Sequence, residues 1–193
     1  PDDGGAIRLI NRQGAVLLEI EYRAEPPWAP AAAGLGHSLV LARPSLGQNH
    51  PRAWSSSEAF GGSPGAAEAG RPSSFDGIRI NEFRSGDGPG GGEPGFIELF
   101  NASGSSIDLS GLALSDEIAA DRYVFPKGTT LAPGGFLVCW EAALGFGPGA
   151  PQAALLLKDP EGSRLVDAVG MSDVVPGAAY GRHPDGGPAI GRL

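Results

Sequence analysis

Two short runs in the middle of the chain alternate apolar and polar residues, and they organise the pattern on either side. Ile97-Glu98-Leu99 and Ile107-Asp108-Leu109 flank a polar loop of Asn, Ala, Ser and Gly residues. Period-2 alternation places the apolar side chains on one face of a strand, and Asn, Gly and Ser supply the turn chemistry. A turn at Ser110-Gly111 leads to Leu112-Ala113-Leu114. The pattern predicts a compact β-meander over Phe96 to Asp116.

The first third of the chain predicts a hairpin and one further strand. Ile7 to Ile10 and Val16 to Tyr22 alternate around a turn at Asn11 to Gly14, and Ser38 to Leu41 is a third apolar run. The prolines between these runs remove backbone donors, which indicates irregular connections. Residues 66–75 are small and polar, which is typical of a linker.

The last part of the chain predicts strands that complete a sandwich. Further runs with apolar residues at strand length occur at Ile78 to Phe83, Tyr123 to Phe125, Leu155 to Leu157 and Arg164 to Val169. Phe136 to Trp140 is apolar throughout, which predicts a strand buried on both faces. The predicted core consists of Ile97, Leu99, Leu109, Leu112, Leu114, Phe125, Leu137, Cys139 and Leu157.

The hairpin occurs twice in the sequence. Ala6 to Tyr22 aligns with Ala154 to Gly170 at a constant offset of 148 residues (6 to 154), which places Asn11 on Asp159 and Gly14 on Gly162. Downstream, GHSLVLARP and GAAYGRHP occupy comparable places with a difference of one residue. The sequence therefore contains an internal repeat.

The order IRINEF, FIELFN, IDLSGLALSD, YVFPKGTTLAPGGFLV resembles the lamin tail domain. The resemblance implies an all-β, immunoglobulin-like sandwich over residues 76–193, preceded by the C-terminal part of another repeat at 1–65 and a linker at 66–75. It also implies that the first segment lacks the earlier strands, and that the second repeat lacks a closing segment after Arg182-His183-Pro184. The apolar faces of residues 1–65 therefore need a cover, from the sandwich, a second chain or absent domains.

Composition narrows the function classes. The chain has 32 glycines and 18 prolines, which leave few segments for helices. The best run, Glu117 to Arg122, allows one or two turns. A net charge of −8 with scattered Lys and Arg disfavours nucleic acid and anionic membranes, and no run is long enough for a membrane span. The lone Cys139 cannot form an intrachain disulfide. The opening Pro1-Asp2 is typical of an internal piece of a longer protein.

No pattern rises to a catalytic or ligand signature. Gly86 to Gly92 lacks the Lys and the helix of a phosphate loop, and the three histidines lack zinc spacing. Four acids could be imagined as a carboxylate pair or a calcium site, but they are dispersed: Glu82, Glu98, Asp108 and Asp116. Asn101-Ala102-Ser103 matches a glycosylation acceptor, but we favour an ordinary turn. We therefore assign no catalytic, cofactor-binding or metal-binding residue.

The aromatic residues Trp28, Trp54, Trp140 and Tyr180 lie in unlike contexts, which favours packing over a sugar-stacking surface. The resemblance implies a non-catalytic module of a larger secreted or cell-surface protein that serves adhesion, spacing or substrate targeting. The alternative is a carbohydrate- or calcium-binding module attached to a hydrolase or nuclease. The expected partner is a protein or a cell-surface polymer. Self-association through the incomplete first repeat is a further expectation.

Overall fold

The computed structural model describes residues 3–25, 27–66, 74–86, 92–117, 119–148, 154–171 and 174–193. The chain divides into two compact units, Pro1–Glu68 and Ala69–Leu193. The prediction of an all-β structure is confirmed, because the α-helix in the described ranges is the four-residue Glu141–Leu144. The described residues between 117 and 122 form no helix. None of the helices in the described part of the chain is long and apolar enough to cross a membrane.

The first unit contains two separate strand pairs. Strand β1 (Gly4–Ile10) forms an antiparallel hairpin with β2 (Val16–Arg23), as the alternation predicted. Strand β3 (Leu39–Leu41) pairs with β4 (Trp54–Ser56). Single 3₁₀ turns that begin with proline lie between them at Pro30–Ala32, Pro44–Leu46 and Pro51–Ala53. The Trp28 and Trp54 rings lie 6.5 Å apart, so both tryptophans pack within this unit.

The second unit is a sandwich of two main sheets. Its strands, in chain order, are β5 (Ile78–Arg84), β6 (Phe96–Asn101), β7 (Ile107–Asp108), β8 (Ala113–Ser115), β9 (Tyr123–Val124), β10 (Thr130–Leu131), β11 (Phe136–Trp140), β12 (Ala154–Lys158), β13 (Leu165–Gly170), β14 (Ala179–Arg182) and β15 (Ile190–Arg192). One sheet has the order β11-β6-β5-β14-β15, the other β13-β12-β8-β9, and β7 pairs with β10.

The core of the second unit lies between these sheets. Fully buried side chains come from both of them, including Ile80, Phe83 and Leu99 from one sheet and Leu114 and Leu157 from the other. Eight of the nine predicted core residues belong to this cluster, and the ninth, Leu137, is partly buried and packs against it. The apolar positions in the predicted strands therefore identified the core residues.

The predicted meander is wrong. The consecutive strands β6, β7 and β8 belong to three different sheets and do not pair with one another. Strand β6 pairs with β5 and β11, whereas β8 pairs with β12 and β9. The short connections between them cross from one layer of the sandwich to the other. Alternation reports which side chains are buried but carries no information about which strand lies alongside.

A buried ion pair links the two sheets. Asp167 on β13 accepts hydrogen bonds from Nη2 of Arg182 on β14 at 2.9 Å and from the backbone N–H of Ile80 on β5 at 2.8 Å. The side chains are only 14% and 7% exposed. Burial raises the pKa of Asp167, and the nearby Arg182 and Arg79 oppose that rise. Arg182 also donates to the carbonyls of Ile80 and Gly187, so its guanidinium is held by three partners.

The two copies of the repeated hairpin share their turn geometry. Asn11 Oδ1 accepts from the backbone N–H groups of Gln13 and Ala15, and Asp159 Oδ1 accepts from those of Ser163 and Arg164. Both hairpins have a register shift next to the turn, at Leu9/Ile10 and Leu157/Lys158. The second turn is one residue longer, so the offset of 148 holds for the first strand and becomes 149 (16 to 165) in the second.

The expected lack of a closing segment in the second repeat is wrong. After Pro184 the chain turns and forms β15, which pairs with β14 as β4 pairs with β3 in the first unit. The second unit thus ends its five-stranded sheet with a strand of its own.

Asn101 ends β6 and organises the following turn. Its Nδ2 donates to the carbonyls of Ser105 at 2.8 Å and Leu131 at 2.9 Å, and its Oδ1 accepts from the N–H and hydroxyl of Ser103. The residue is 0% exposed. The turn interpretation of Asn101-Ala102-Ser103 matches this arrangement, since every polar atom of the side chain is used within the fold.

Candidate functional site

Strand β11 lies at the edge of the five-stranded sheet and presents apolar side chains to solvent. Phe136 is 48%, Val138 38% and Trp140 49% exposed, whereas Cys139 is 8% exposed and faces the core. The prediction that this strand is buried on both faces is therefore wrong. The second sheet covers only the inner face, and a continuous apolar run cannot distinguish an edge strand with an apolar outer face from a central one.

Two pairs of aromatic rings lie across β11 and β6 on this outer face. Phe136 is opposite Phe100 with ring centroids 4.7 Å apart, and Trp140 is opposite Phe96 with centroids 5.8 Å apart. The pairs are four residues apart along β11, which corresponds to about 13–14 Å. We call Phe96, Phe100, Phe136, Val138 and Trp140 the aromatic face. An edge strand with such a face is a potential binding surface, because proteins usually blunt exposed edges with charge or proline.

Charged residues continue the same rows on β5. Glu98 lies between the two phenylalanines of β6 and is opposite both Val138 and Glu82. Arg79 is opposite Phe100, and Arg84 is opposite Phe96. The centre of the outer face is therefore acidic. On each side of it, a row across the strands has aromatic rings on β11 and β6 and an arginine on β5.

The central carboxylates influence one another. Partial burial raises the pKa of Glu82, and the negative charges of Glu98 and Asp185 raise it further. Asn81 separates two of these acids, because its Nδ2 donates to Glu98 Oε1 at 3.1 Å and to Asp185 Oδ1 at 3.0 Å. Asn81 occupies the register shift between Ile80 and Glu82 in β5. The amide thus reduces repulsion in a group of acids that the sheet brings together.

The second edge of β11 exposes backbone groups of the same residues that form the aromatic face. Asn101 N–H donates to Gly135 O at 3.1 Å, and Glu141 N–H donates to Gly95 O at 2.9 Å. The direction of the backbone N–H and C=O groups alternates along a strand, so those of Leu137 and Cys139 point to β6. The N–H and C=O groups of residues 136, 138 and 140 point to the other side. Among the described strands, β6 alone pairs with β11.

The structure brings together two of the four acids considered from the sequence. Glu82 and Glu98 are neighbours, whereas Asp108 is exposed and accepts from Ser110, and Asp116 is buried near Arg122. Hydrogen bonding to Ser110 lowers the pKa of Asp108. No group of three or more His, Cys, Asp or Glu side chains suited to a metal ion occurs within the described ranges.

The other candidate residues from the sequence make contacts within the fold, as far as they lie in the described ranges. Burial raises the pKa of Cys139 to about 11, which suppresses the reactive thiolate. His37 contacts the Ser57 carbonyl, and His50 accepts from the N–H of Arg52. Most of the Gly86 to Gly92 loop and of the 66–75 linker lies outside the described residues.

The sequence interpretation of the aromatic residues missed the aromatic face. That interpretation groups Trp140 with Trp28, Trp54 and Tyr180, from which it is separated in chain position and context. The relevant signal was the spacing within two strands: Phe136, Val138 and Trp140 in one, and Phe96 and Phe100 in the other. Alternate residues of a strand share a face. Antiparallel pairing then places the two sets side by side.

A family model described as the Lamin Tail Domain matches residues 71–173. The matched range contains β5 to β13 and therefore both strands of the aromatic face. No curated protein and no solved structure matches the chain.

Proposed function

Because the chain belongs to the lamin tail domain family, whose fold is immunoglobulin-like, we propose that it serves a larger protein as a non-catalytic module for adhesion or substrate targeting. The proposal places that protein outside the cell or on its surface. Fold alone does not determine function, so the argument rests on the surface that the module presents.

The edge strand β11 carries the proposal. It offers unpaired backbone groups together with three exposed apolar side chains, and the described residues supply no cover for either. An extended segment that adds to a sheet edge gains affinity from main-chain hydrogen bonds and specificity from alternate side chains. The proposed partner is therefore an extended protein segment whose alternate residues are apolar, bound along residues 136–140.

The aromatic pairs define the side-chain preference of this partner. Cross-strand aromatic contacts add about 0.5–1.5 kcal/mol beyond area burial, and β6 already makes them with β11 from the other side. A partner strand meets Phe136 and Trp140 at positions four residues apart. We expect it to carry apolar or aromatic residues at those two positions and a residue compatible with Val138 between them.

A carbohydrate polymer is the second candidate, since exposed rings on a flat sheet also stack on sugars. It differs from a protein strand in what it requires. A sugar chain contacts the rings and neighbouring carboxylates but does not use the backbone groups at the edge of β11. A substitution that removes one edge donor therefore separates the two classes of partner.

The test uses a fluorescent peptide with the sequence of β6, Phe-Ile-Glu-Leu-Phe-Asn, flanked by lysines for solubility. Binding to the full chain is measured by fluorescence anisotropy. Val138→Pro removes an N–H that points to the free edge, where proline is tolerated in a sheet. Trp140→Ala removes a ring and leaves the backbone intact. Val124→Ala is the control, because Val124 is 50% exposed on β9, in the other sheet.

We expect saturable binding that both Val138→Pro and Trp140→Ala weaken at least about tenfold, while Val124→Ala leaves it unchanged. Unchanged circular dichroism of each variant establishes that the sheet is intact. Absence of peptide binding at millimolar concentration contradicts the proposal. Binding to a glycan on a panel, if Trp140→Ala abolishes it and Val138→Pro preserves it, identifies the partner as a carbohydrate. That result also overturns the proposal of an extended protein segment.

A further inference from the structure

The hairpin of β1 and β2 in the first unit has one apolar face and one face, called the polar face, that combines charged residues with the pair Ile10 and Val16. Arg8 and Glu19 form an ion pair on the polar face, with Arg8 Nε donating to Glu19 Oε1 at 2.6 Å. The opposite face consists of Ile7, Leu9, Leu18, Ile20 and Tyr22, which we call the hairpin face. Ile7 and Leu9 are 58% and 57% exposed. A two-stranded hairpin is at best marginally stable in water without cover for its apolar face.

The second unit shows what the same positions do when the sandwich is complete. The register of the two hairpins places Ile7 on Leu155 and Leu9 on Leu157, and it places Ile20 on Val169 and Tyr22 on Met171. These four counterparts are 0%, 0%, 3% and 6% exposed and belong to the core cluster. The hairpin face is therefore one half of a core whose other half is missing among the described residues of the first unit.

The edge of the hairpin shows the same difference. In the second unit β12 pairs with β13 on one side and with β8 on the other, so that Leu157 is opposite Leu114 and Lys158 is opposite Ala113. In the first unit, within its described residues, β1 pairs with β2 alone. The hairpin face is thus covered only in part, because Leu18, Ile20 and Tyr22 are half-buried while Ile7 and Leu9 are exposed. In the second unit, the strands beside and over the corresponding positions come from β5 to β11.

From this internal template, we propose that the hairpin face is an acceptor for a polypeptide segment with the strand pattern of residues 78–140, the front strands of a lamin tail domain. The occupant adds an antiparallel strand along β1, opposite Arg8, Leu9 and Ile10, in the register that Ser115, Leu114 and Ala113 adopt on β12. Its second layer covers Ile7, Leu9, Ile20 and Tyr22. Residues 1–68 then become the closing half of a complete sandwich.

The occupant needs a particular side-chain pattern rather than charge. The strand beside β1 requires an apolar residue opposite Leu9, as Leu114 is opposite Leu157. Leu18 occupies the position of Asp167, the carboxylate that reaches the Ile80 N–H in the second unit. The first sandwich would therefore contain an apolar contact where the second has a buried ion pair.

The test fuses a second copy of residues 74–148 through a Gly/Ser linker ahead of the full 193-residue chain. Hydrogen exchange of the backbone amides in residues 4–23 is compared between the fused and unfused proteins. We expect exchange to slow at least about tenfold in the fused protein, because pairing and burial protect the amides of β1 and β2. Leu9→Lys should abolish the slowing, and Arg8→Gln on the polar face should preserve it.

The unfused chain with Leu9→Lys serves as the folding control. Its circular dichroism should match that of the parent, since Leu9 is largely exposed there. Unchanged exchange in residues 4–23 of the fused protein overturns the proposal. Protection of 4–23 that rises with concentration in the unfused chain, together with a dimeric mass, overturns it in favour of a second copy as the occupant.

Discussion

Replacement of Asp167 by alanine tests the buried ion pair between the two sheets. The substitution removes the carboxylate that accepts from Arg182 Nη2 at 2.9 Å and from the Ile80 N–H at 2.8 Å. Arg182 keeps its two carbonyl partners, but its side chain is only 7% exposed, so water cannot readily replace the lost counter-charge. The backbone N–H of Ile80, in the fully buried part of β5, also loses its acceptor.

These losses set the expected magnitude. Removing one partner of a buried ion pair costs about 3–5 kcal/mol, and an orphaned N–H costs about 1–3 kcal/mol as part of the same change. The loss of the N–H acceptor is already part of the cost of removing the carboxylate, so the two penalties do not add. We expect a total of about 3–5 kcal/mol. A double replacement, Asp167→Leu with Arg182→Met, should recover part of that loss, since neither charge then remains buried, while the Ile80 N–H stays without its acceptor.

Native-state hydrogen exchange measures the effect in the second unit alone. The slowest amides of β5 and β6 should exchange roughly 10²- to 10⁴-fold faster in Asp167→Ala. Glu117→Ala is the matched control, because the Glu117–Arg122 pair lies in the same unit with side chains 49% and 36% exposed. It should cost at most about 1 kcal/mol. If Asp167→Ala costs no more than this control, the pair does not link the sheets energetically, and our reasoning is refuted.

Three further predictions concern single side chains. Leu99→Ala should destabilise the second unit by about 2–5 kcal/mol in urea unfolding, because Leu99 is 0% exposed, and a cost below about half a kcal/mol would contradict its place in the core. Glu82→Gln should leave stability unchanged at acid pH and raise it near pH 7, because a raised pKa in the fold means that stability is lost as the pH rises through that pKa; equal pH profiles of the two proteins would contradict the repulsion. Cys139, with a pKa of about 11, should react with a disulfide reagent at pH 8 only after unfolding, and stoichiometric labelling of the native chain would show otherwise.

The sequence predicts the strands and the buried faces well, because both depend on local alternation. Leu99 and Leu109 are core residues for that reason, whereas Leu157 is a core residue in a short run that is apolar throughout. Strand pairing is not local, and the predicted meander failed there: Ile107 and Leu114 follow one another closely in the chain but lie in different sheets.

The candidate site was harder to predict for the same reason. An apolar run such as Phe136 to Trp140 has the same composition in a central strand and in an edge strand with an apolar outer face. Only the order of the sheet places it at an edge. The neighbouring rings of Phe96 and Phe100 are separated from it by more than thirty positions in sequence, so no short pattern contains the whole surface. Once β6 and β11 are paired, the surface follows from alternation alone.

The buried amide of Asn101 sets the order of events for this chain in any cell that attaches glycans to Asn-X-Ser sites. Attachment replaces one of the two Nδ2 hydrogens, and both donate in the fold, to Ser105 and Leu131. A sugar added before the turn closes would remove one of those hydrogen bonds. It would also need space around a side chain that is 0% exposed in the fold. Folding and glycosylation therefore compete for the same nitrogen atom. Secretion through a glycosylating host would divide the product between an unmodified chain with all four Asn101 hydrogen bonds and a modified chain whose turn lacks one of them.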